Sequence, residues 1–133
     1  MKKLLLFGLM TFLLSCSLGM DIERNIVGNY YLTAPDDDEQ LGLTYRYPGD
    51  ENGYGGIIEQ TVFAVGFNKQ FIIAKQHPPN KEITNYFILP YNLNKEPKNE
   101  DLIGPLTLKE FEQKKKELKI ENLDFTIVYK NLE

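Results

Sequence analysis

Ile57–His77 reads IIEQTVFAVGFNKQFIIAKQH, two β-rich runs hinged on Asn68-Lys69. Runs of β-branched and aromatic residues joined by so short a polar step predict a β-hairpin, and asparagine tolerates the positive φ that a tight hairpin turn demands. With Phe67 opposite Gln70, the register sets Gly66 against Phe71, Ala64 against Ile73 and Phe63 against Ala74. Large side chains then meet small ones across the ladder, which avoids both voids and clashes. Phe63, Val65, Phe67 and Ile72 occupy one face, and Val62, Ala64, Phe71 and Ile73 the other. A hairpin apolar on both faces needs cover on both, so it is expected at the centre of the fold.

Upstream, Leu41, Leu43, Tyr45 and Tyr47 alternate with Gly42, Thr44 and Arg46, the pattern of a strand with one face buried and one wet. Asn29–Thr33 is an earlier strand candidate, closed by the turn-rich Ala34-Pro35-Asp36-Asp37-Asp38, and Pro48–Gly56 reads as a long loop. Downstream, Pro78-Pro79 breaks the chain before a further strand at Asn85–Pro90 and a polar linker over 92–101. Thr107-Leu108-Lys109-Glu110 has the form of a capping box. It predicts a helix to about Lys119 that presents Leu108, Phe111 and Leu118 to the core, with Lys114, Lys115 and Lys116 complementing the macrodipole near its end. Phe125–Tyr129 closes the chain as a short strand. The sum predicts an α+β fold, an antiparallel sheet of about five or six strands with one C-terminal helix packed on it.

The start of the chain has a different character. Met1-Lys2-Lys3 is basic, Leu4–Leu14 is an apolar run, and Ser15-Cys16 follows, which is the layout of a signal peptide. At about 1.5 Å per residue, a helix over this run falls well short of the roughly 30 Å of a bilayer core. Leu13-Leu14-Ser15-Cys16 resembles the lipobox of bacterial lipoproteins. That resemblance implies a diacylglycerol on the Cys16 thiol, cleavage just before it, and a fatty acyl chain such as palmitate on the new amino terminus. Two or three acyl chains hold a protein at a membrane where one is marginal. The expected organisation is a signal peptide over 1–15, a lipidated tether over 16–28 and one domain over 29–133. Ser17 after the cysteine, rather than aspartate, favours the outer membrane where the organism has one.

Tyr86-Phe87-Ile88-Leu89, Gly104-Pro105-Leu106-Thr107 and the Lys/Glu-rich helix ending at Leu118-Lys119-Ile120 resemble a family of small, uncharacterised bacterial lipoproteins. Tyr30-Tyr31 and Phe71-Ile72-Ile73-Ala74 are similar to that family as well. The resemblance brings no activity with it.

Composition narrows the functions that remain. A formal net charge of −4, more negative once Lys2 and Lys3 leave with the signal, argues against nucleic acid and against electrostatic binding to anionic lipid. Cys16 is the only cysteine, so the mature domain has no disulfide, no thiol nucleophile and no cysteine metal site. Asp36-Asp37-Asp38-Glu39 offers the hard oxygens that calcium selects, but consecutive carboxylates seldom converge on one ion and the spaced loop pattern is missing. Asp50-Glu51-Asn52-Gly53 is incomplete in the same way, and both read as solvated turns. His77, the only histidine, has no Gly-x-Ser-x-Gly turn to serve, and Gly53-Tyr54-Gly55-Gly56 lacks the lysine and helix of a phosphate loop. No catalytic residue, metal or cofactor is expected.

Tyr45, Tyr47 and Tyr54 form a candidate binding surface, since tyrosine joins a flat apolar ring to a polar tip and is enriched where proteins recognise each other. The competing reading, favoured here, turns Tyr45 and Tyr47 into the core beside Leu41 and Leu43. These features describe a non-enzymatic binding module of the cell envelope that meets an envelope or secreted protein through one edge or face of its sheet. An immunity or inhibitor lipoprotein against a toxin or lytic enzyme is one specific version. A structural or assembly lipoprotein is a second class, and a hydrolase using His77 with nearby carboxylates a third.

Overall fold

The structure, a computed structural model, describes residues 22–50, 53–79 and 82–133. The signal peptide over 1–15, Cys16 and the first part of the tether lie outside the described residues. Among these residues nine strands and one α-helix follow in the order β1 (Ile22–Val27), β2 (Tyr30–Ala34), β3 (Gly42–Arg46), β4 (Tyr54–Ile58), β5 (Val62–Phe67), β6 (Phe71–Gln76), β7 (Asn85–Pro90), β8 (Ile103–Leu106), α1 (Leu108–Glu117) and β9 (Ile127–Val128). They build two antiparallel sheets, β1-β2-β3-β4 and β8-β7-β6-β5-β9, rather than the single sheet expected. The expected α+β character holds broadly, with β structure dominant. Among the described residues no helix is long and apolar enough to cross a membrane.

The two sheets face each other. Leu32, Leu43, Tyr45 and Ile58 of the first pack on Val65, Ile72, Ala74 and Leu89 of the second in one buried cluster. On the far side of the second sheet, Ile73 and Ile88 pack against Phe111 of α1 and Ile120 just after it. The molecule therefore has three layers, with β5 and β6 in the middle one. That agrees with a hairpin expected to be central and covered on both sides. Phe111 is buried to 1% exposure and stacks between Tyr86 and Phe125. Truncating it to alanine removes about 3–5 kcal/mol of stability.

Several local expectations change in physical detail. The hairpin starts at Val62, because Ile57 and Ile58 belong to β4 in the other sheet. Its register shifts by two residues, so that Phe67 faces Ile72, Gly66 faces Ile73 and Val65 faces Ala74. The cause is the Asn68 side chain, whose Oδ1 accepts from the amides of Gln70 and Phe71, each at 2.8 Å, while the Asn68 amide donates to the Phe71 carbonyl at 3.0 Å. Asn68 thus precedes the turn, and Lys69-Gln70 form its centre. Small residues still oppose large ones across the ladder.

Residues 22–27, read as the end of a tether, form the edge strand β1. It joins β2 through a two-residue turn in which Gly28 takes φ +54, at the first central position, where a tight hairpin favours glycine. The Asn25 amide supports this turn by donating to the carbonyls of Gly28 and Tyr30. Tyr54-Gly55-Gly56, assigned to a loop, opens β4, and Ile103–Leu106 form β8, which no strand was assigned to.

The helix begins as expected. Thr107 Oγ1 accepts from the Glu110 amide while the Glu110 carboxylate accepts from the Thr107 amide, a complete capping box. Its buried face differs, because Leu108 is 54% exposed while Phe111 and Lys115 are buried. The Lys115 ammonium lies 5.2 Å from the centre of the Phe111 ring, so the alkyl stem fills the seam that leucine was expected to fill. At the C-terminus Lys119 adopts φ +59, the Ile120 amide donates to the Lys115 carbonyl and the Lys119 amide to that of Lys116. This is the Schellman closure, built on lysine where glycine is usual.

Candidate functional site

The second sheet has both faces covered, and the first has one. Among the described residues nothing covers the other face of β1–β4, and the alternation of its strands decides what it displays. Leu32 and Leu43 point inward, so Tyr31, Thr33, Thr44 and Arg46 point out. Glu23 joins them from β1 opposite Thr33, and Tyr54 and Gly56 from β4 opposite Arg46 and Thr44.

These side chains form a connected surface. Tyr31 and Tyr54 meet edge to face, with ring centres 5.7 Å apart and planes at 81°. The Tyr54 hydroxyl donates to the Glu23 carboxylate, a tie between the two edge strands of the sheet. This bond is the main reason its hydroxyl is held above the usual tyrosine range. A hydrogen bond to Tyr31, with the nearby Glu23 carboxylate adding attraction, holds the Arg46 guanidinium in its charged form even more firmly than usual. Thr33 donates to Thr44 at 3.3 Å, and Thr44 to the Tyr31 carbonyl at 3.3 Å. Three shallow, open hollows of about 340–380 Å³ border this face, one beside Arg46 and Tyr47, one beside Glu23 and Tyr54, and one over Gly56.

The three tyrosines named from the sequence are not brought together. Tyr45 is 5% exposed and faces the core, packed edge-on against Tyr30 at 5.1 Å and Tyr47 at 5.5 Å. Tyr47, 42% exposed, sits at the end of β3 with its ring over Gly55, where a Cβ would lie 2.9 Å from Tyr47 Cε2. Only Tyr54 belongs to the open face. The partners that sequence reasoning missed are Tyr31, Arg46 and Glu23. A signal for the first two was present, since they occupy the alternate phase to Leu32, Leu43 and Tyr45.

The other candidates serve the fold. His77 stacks on Phe63, with ring centres 4.2 Å apart and planes at 14°, and its Nδ1 lies 3.0 Å from the Ile83 carbonyl. Asp37 caps a short 3-10 turn over Asp38–Gln40 by accepting from the Glu39 amide, while Asp38 accepts from the Asn131 side chain at 3.2 Å. Asp36 donates its backbone amide to Gln40. The acidic cluster is thus a hydrogen-bonded turn, and no group of metal-ligating side chains is assembled among the described residues. Asp50 lies in the β3–β4 loop, whose tip at Glu51 and Asn52 is outside the described residues, as is Cys16.

Residues 27–129 match the model of a family described as a protein of unknown function (DUF3997). No curated protein and no solved structure matches the chain.

Proposed function

The chain belongs to this family, and on that premise we propose that it is a bacterial lipoprotein, held at a membrane by lipid on Cys16, whose domain is a non-enzymatic binding module of the cell envelope. Its partner is a protein, recognised through the open face of β1–β4. One observation carries the reading: among the described residues the middle sheet is covered on both sides, whereas the outer sheet leaves bare a face built of Tyr31, Tyr54 and Arg46 with threonines between them. Tyrosine and arginine are enriched among the residues that anchor protein interfaces, tyrosine through a rigid ring with a polar tip and arginine through a planar fork of hydrogen-bond donors. The hydrogen-bonded ring of His77 and the capped turn at Asp37 support a structural role for the groups that a catalytic reading would need. The acidic balance of the chain favours a basic partner, which suits an inhibitor of a toxin or lytic enzyme.

The test is in-cell crosslinking of the tagged, lipidated protein, with Cys16→Ala as the mislocalised control and a Tyr31→Ala/Arg46→Ala double variant to disarm the face. A single dominant protein, lost in both, is the expected result. Palmitate labelling that persists in Cys16→Ala would refute the anchor. Capture that ignores the double variant would refute the face.

A further inference from the structure

A hollow of about 370 Å³ lies at the seam of the two sheets, off the open face of β1–β4. Tyr30, the first residue of β2 and opposite in phase to Tyr31, borders it from the first sheet. Pro90 and Tyr91, where β7 ends, border it from the second, and the linker over 92–101 supplies the rest. The linker is shaped by its own turns. The Asn92 side chain accepts from the Asn94 amide at 2.9 Å and the Asn92 carbonyl from the Lys95 amide at 3.0 Å. A 3-10 turn over Asn99–Asp101 then delivers Leu102 to the core.

Two observations set this hollow apart from those along the open face. The first is the Tyr30 hydroxyl. The residue is 2% exposed, with its ring edge-on to Tyr45 and Tyr91, and its hydroxyl makes no hydrogen bond among the described residues. No fully enclosed side-chain oxygen or nitrogen among those residues lacks a partner, so this hydroxyl opens onto the hollow that Tyr30 lines. Phenylalanine would make the same ring contacts without drawing a polar group out of bulk water, so the use of the hydroxyl lies in the hollow. Burial, with Tyr45, Tyr91 and Asp101 after it, holds the group protonated up to about pH 12, which makes it a donor throughout the physiological range.

The second observation is charge. The linker's first turn brings Lys95 and Glu96 to the rim and its second brings Lys98 and Asp101, so each contributes one charge of each sign. None of the four forms an ion pair among the described residues. A ligand of one sign would be attracted by two of these groups and repelled by two, and an uncharged one would desolvate all four without return. A ligand with both signs a few bonds apart finds a partner for each.

We propose that this hollow binds a small zwitterion of amino-acid to dipeptide size, its carboxylate held by the Tyr30 hydroxyl and the two lysines and its ammonium by Glu96 and Asp101. The volume lies in the lower part of the range that small-molecule sites occupy. The site goes beyond the protein-binding face, and neither needs the other.

The experiment is isothermal titration calorimetry on the full-length chain in detergent, with alanine, glutamate, lysine, phenylalanine and alanyl-alanine as probes. Glucose is the uncharged control. The N-acetyl and amide derivatives of the tightest probe each remove one charge. Saturable binding of at least one probe is the expected result, weakened about tenfold or more by either derivative, by Tyr30→Phe and by Lys95→Ala/Lys98→Ala. Tyr30→Phe should keep the parent melting temperature, because the ring contacts remain. If it does not, the double lysine variant decides, since both side chains are exposed. No saturable binding of any probe below about 10 mM overturns the proposal. Undiminished affinity for a derivative, preference for glucose, or unchanged binding in either variant overturns it too. Crosslinking through the open face depends on none of these outcomes, so the two readings fail separately.

Discussion

Substituting Gly66 by alanine places one methyl group where the chain crosses itself. Gly66 lies on β5 opposite Ile73, and the segment leading into β9 passes directly over it. A Cβ at this position would overlap the Asp124 carbonyl oxygen and lie 2.9 Å from the Asp124 carbonyl carbon and 3.2 Å from Phe125 Cα. All three are backbone atoms, so no side-chain rotation relieves the clash. The crossing segment must lift instead, and it is held by the Thr126 amide on the Val65 carbonyl at 3.0 Å and the Tyr129 amide on the Phe63 carbonyl at 2.8 Å. Overpacking of this kind costs about 1–3 kcal/mol, and each backbone bond lost adds about 1 kcal/mol. A total near 3–4 kcal/mol lowers the melting temperature of a domain this size by roughly 10–20 °C. Gly56→Ala is the matched control, since its Cβ meets nothing within 4 Å and its expected effect is within about 0.5 kcal/mol. Urea and thermal melts followed by circular dichroism measure both. Equal shifts for the two variants would refute the argument that the crossing at Asp124 sets the cost.

Lys119→Gly should stabilise the protein by about 0.5–1 kcal/mol, because it relieves the left-handed backbone at the end of α1 without touching a side-chain contact, and a urea midpoint reads it directly. Thr107→Ala should cost about 1 kcal/mol through loss of the helix cap. The Thr107 amide and hydroxyl hold the Glu110 carboxyl below the usual glutamate range. A depressed value means that this contribution is present above the unfolded carboxylate value and fades as pH falls below it, so Glu110→Gln should flatten that part of an acid titration of stability. At the alkaline end, burial first and the neighbouring Tyr45, Tyr91 and Asp101 after it push the Tyr30 hydroxyl up to about 12. Because the value is raised, the stabilisation is complete below pH about 10 and is lost as pH rises toward 12. Tyr30→Phe should remove that step from the alkaline unfolding curve.

Local periodicity was enough for the middle layer and the start of the helix. The apolar faces of β5 and β6 announced a strand pair with cover on both sides, and Thr107 with Glu110 marked the helix cap. What escaped depends on contacts distant in sequence. Tyr54-Gly55-Gly56 has the composition of a loop, yet it pairs with β3, with Gly55 so close to the Tyr47 ring that a Cβ there would lie 2.7 Å from the Tyr47 hydroxyl oxygen. Nothing local distinguishes Leu108 from Lys115 as the residue to bury, since the choice depends on where Tyr86 and Phe125 place the Phe111 ring. A clearer signal lies at Gly28-Asn29, a glycine-led pair of the kind that closes two-residue hairpins. Reading it would have turned the end of the tether into β1 and exposed Glu23 as the partner of Tyr54.

The order of strands also has a kinetic consequence. Every strand from β1 to β8 that pairs does so with its immediate neighbour in sequence, leaving the joint between β5 and β9 as the exception, with Ala64 meeting Val128. Pairings between neighbours close short loops and form early, whereas joining residues so far apart carries a larger loop-closure entropy. Two meanders therefore assemble first, and the C-terminal segment latches across the finished second one. In pulse-labelled refolding, the amides of Thr126 and Tyr129 should gain protection after those of β6 and β7, marking the latch as the last element to close.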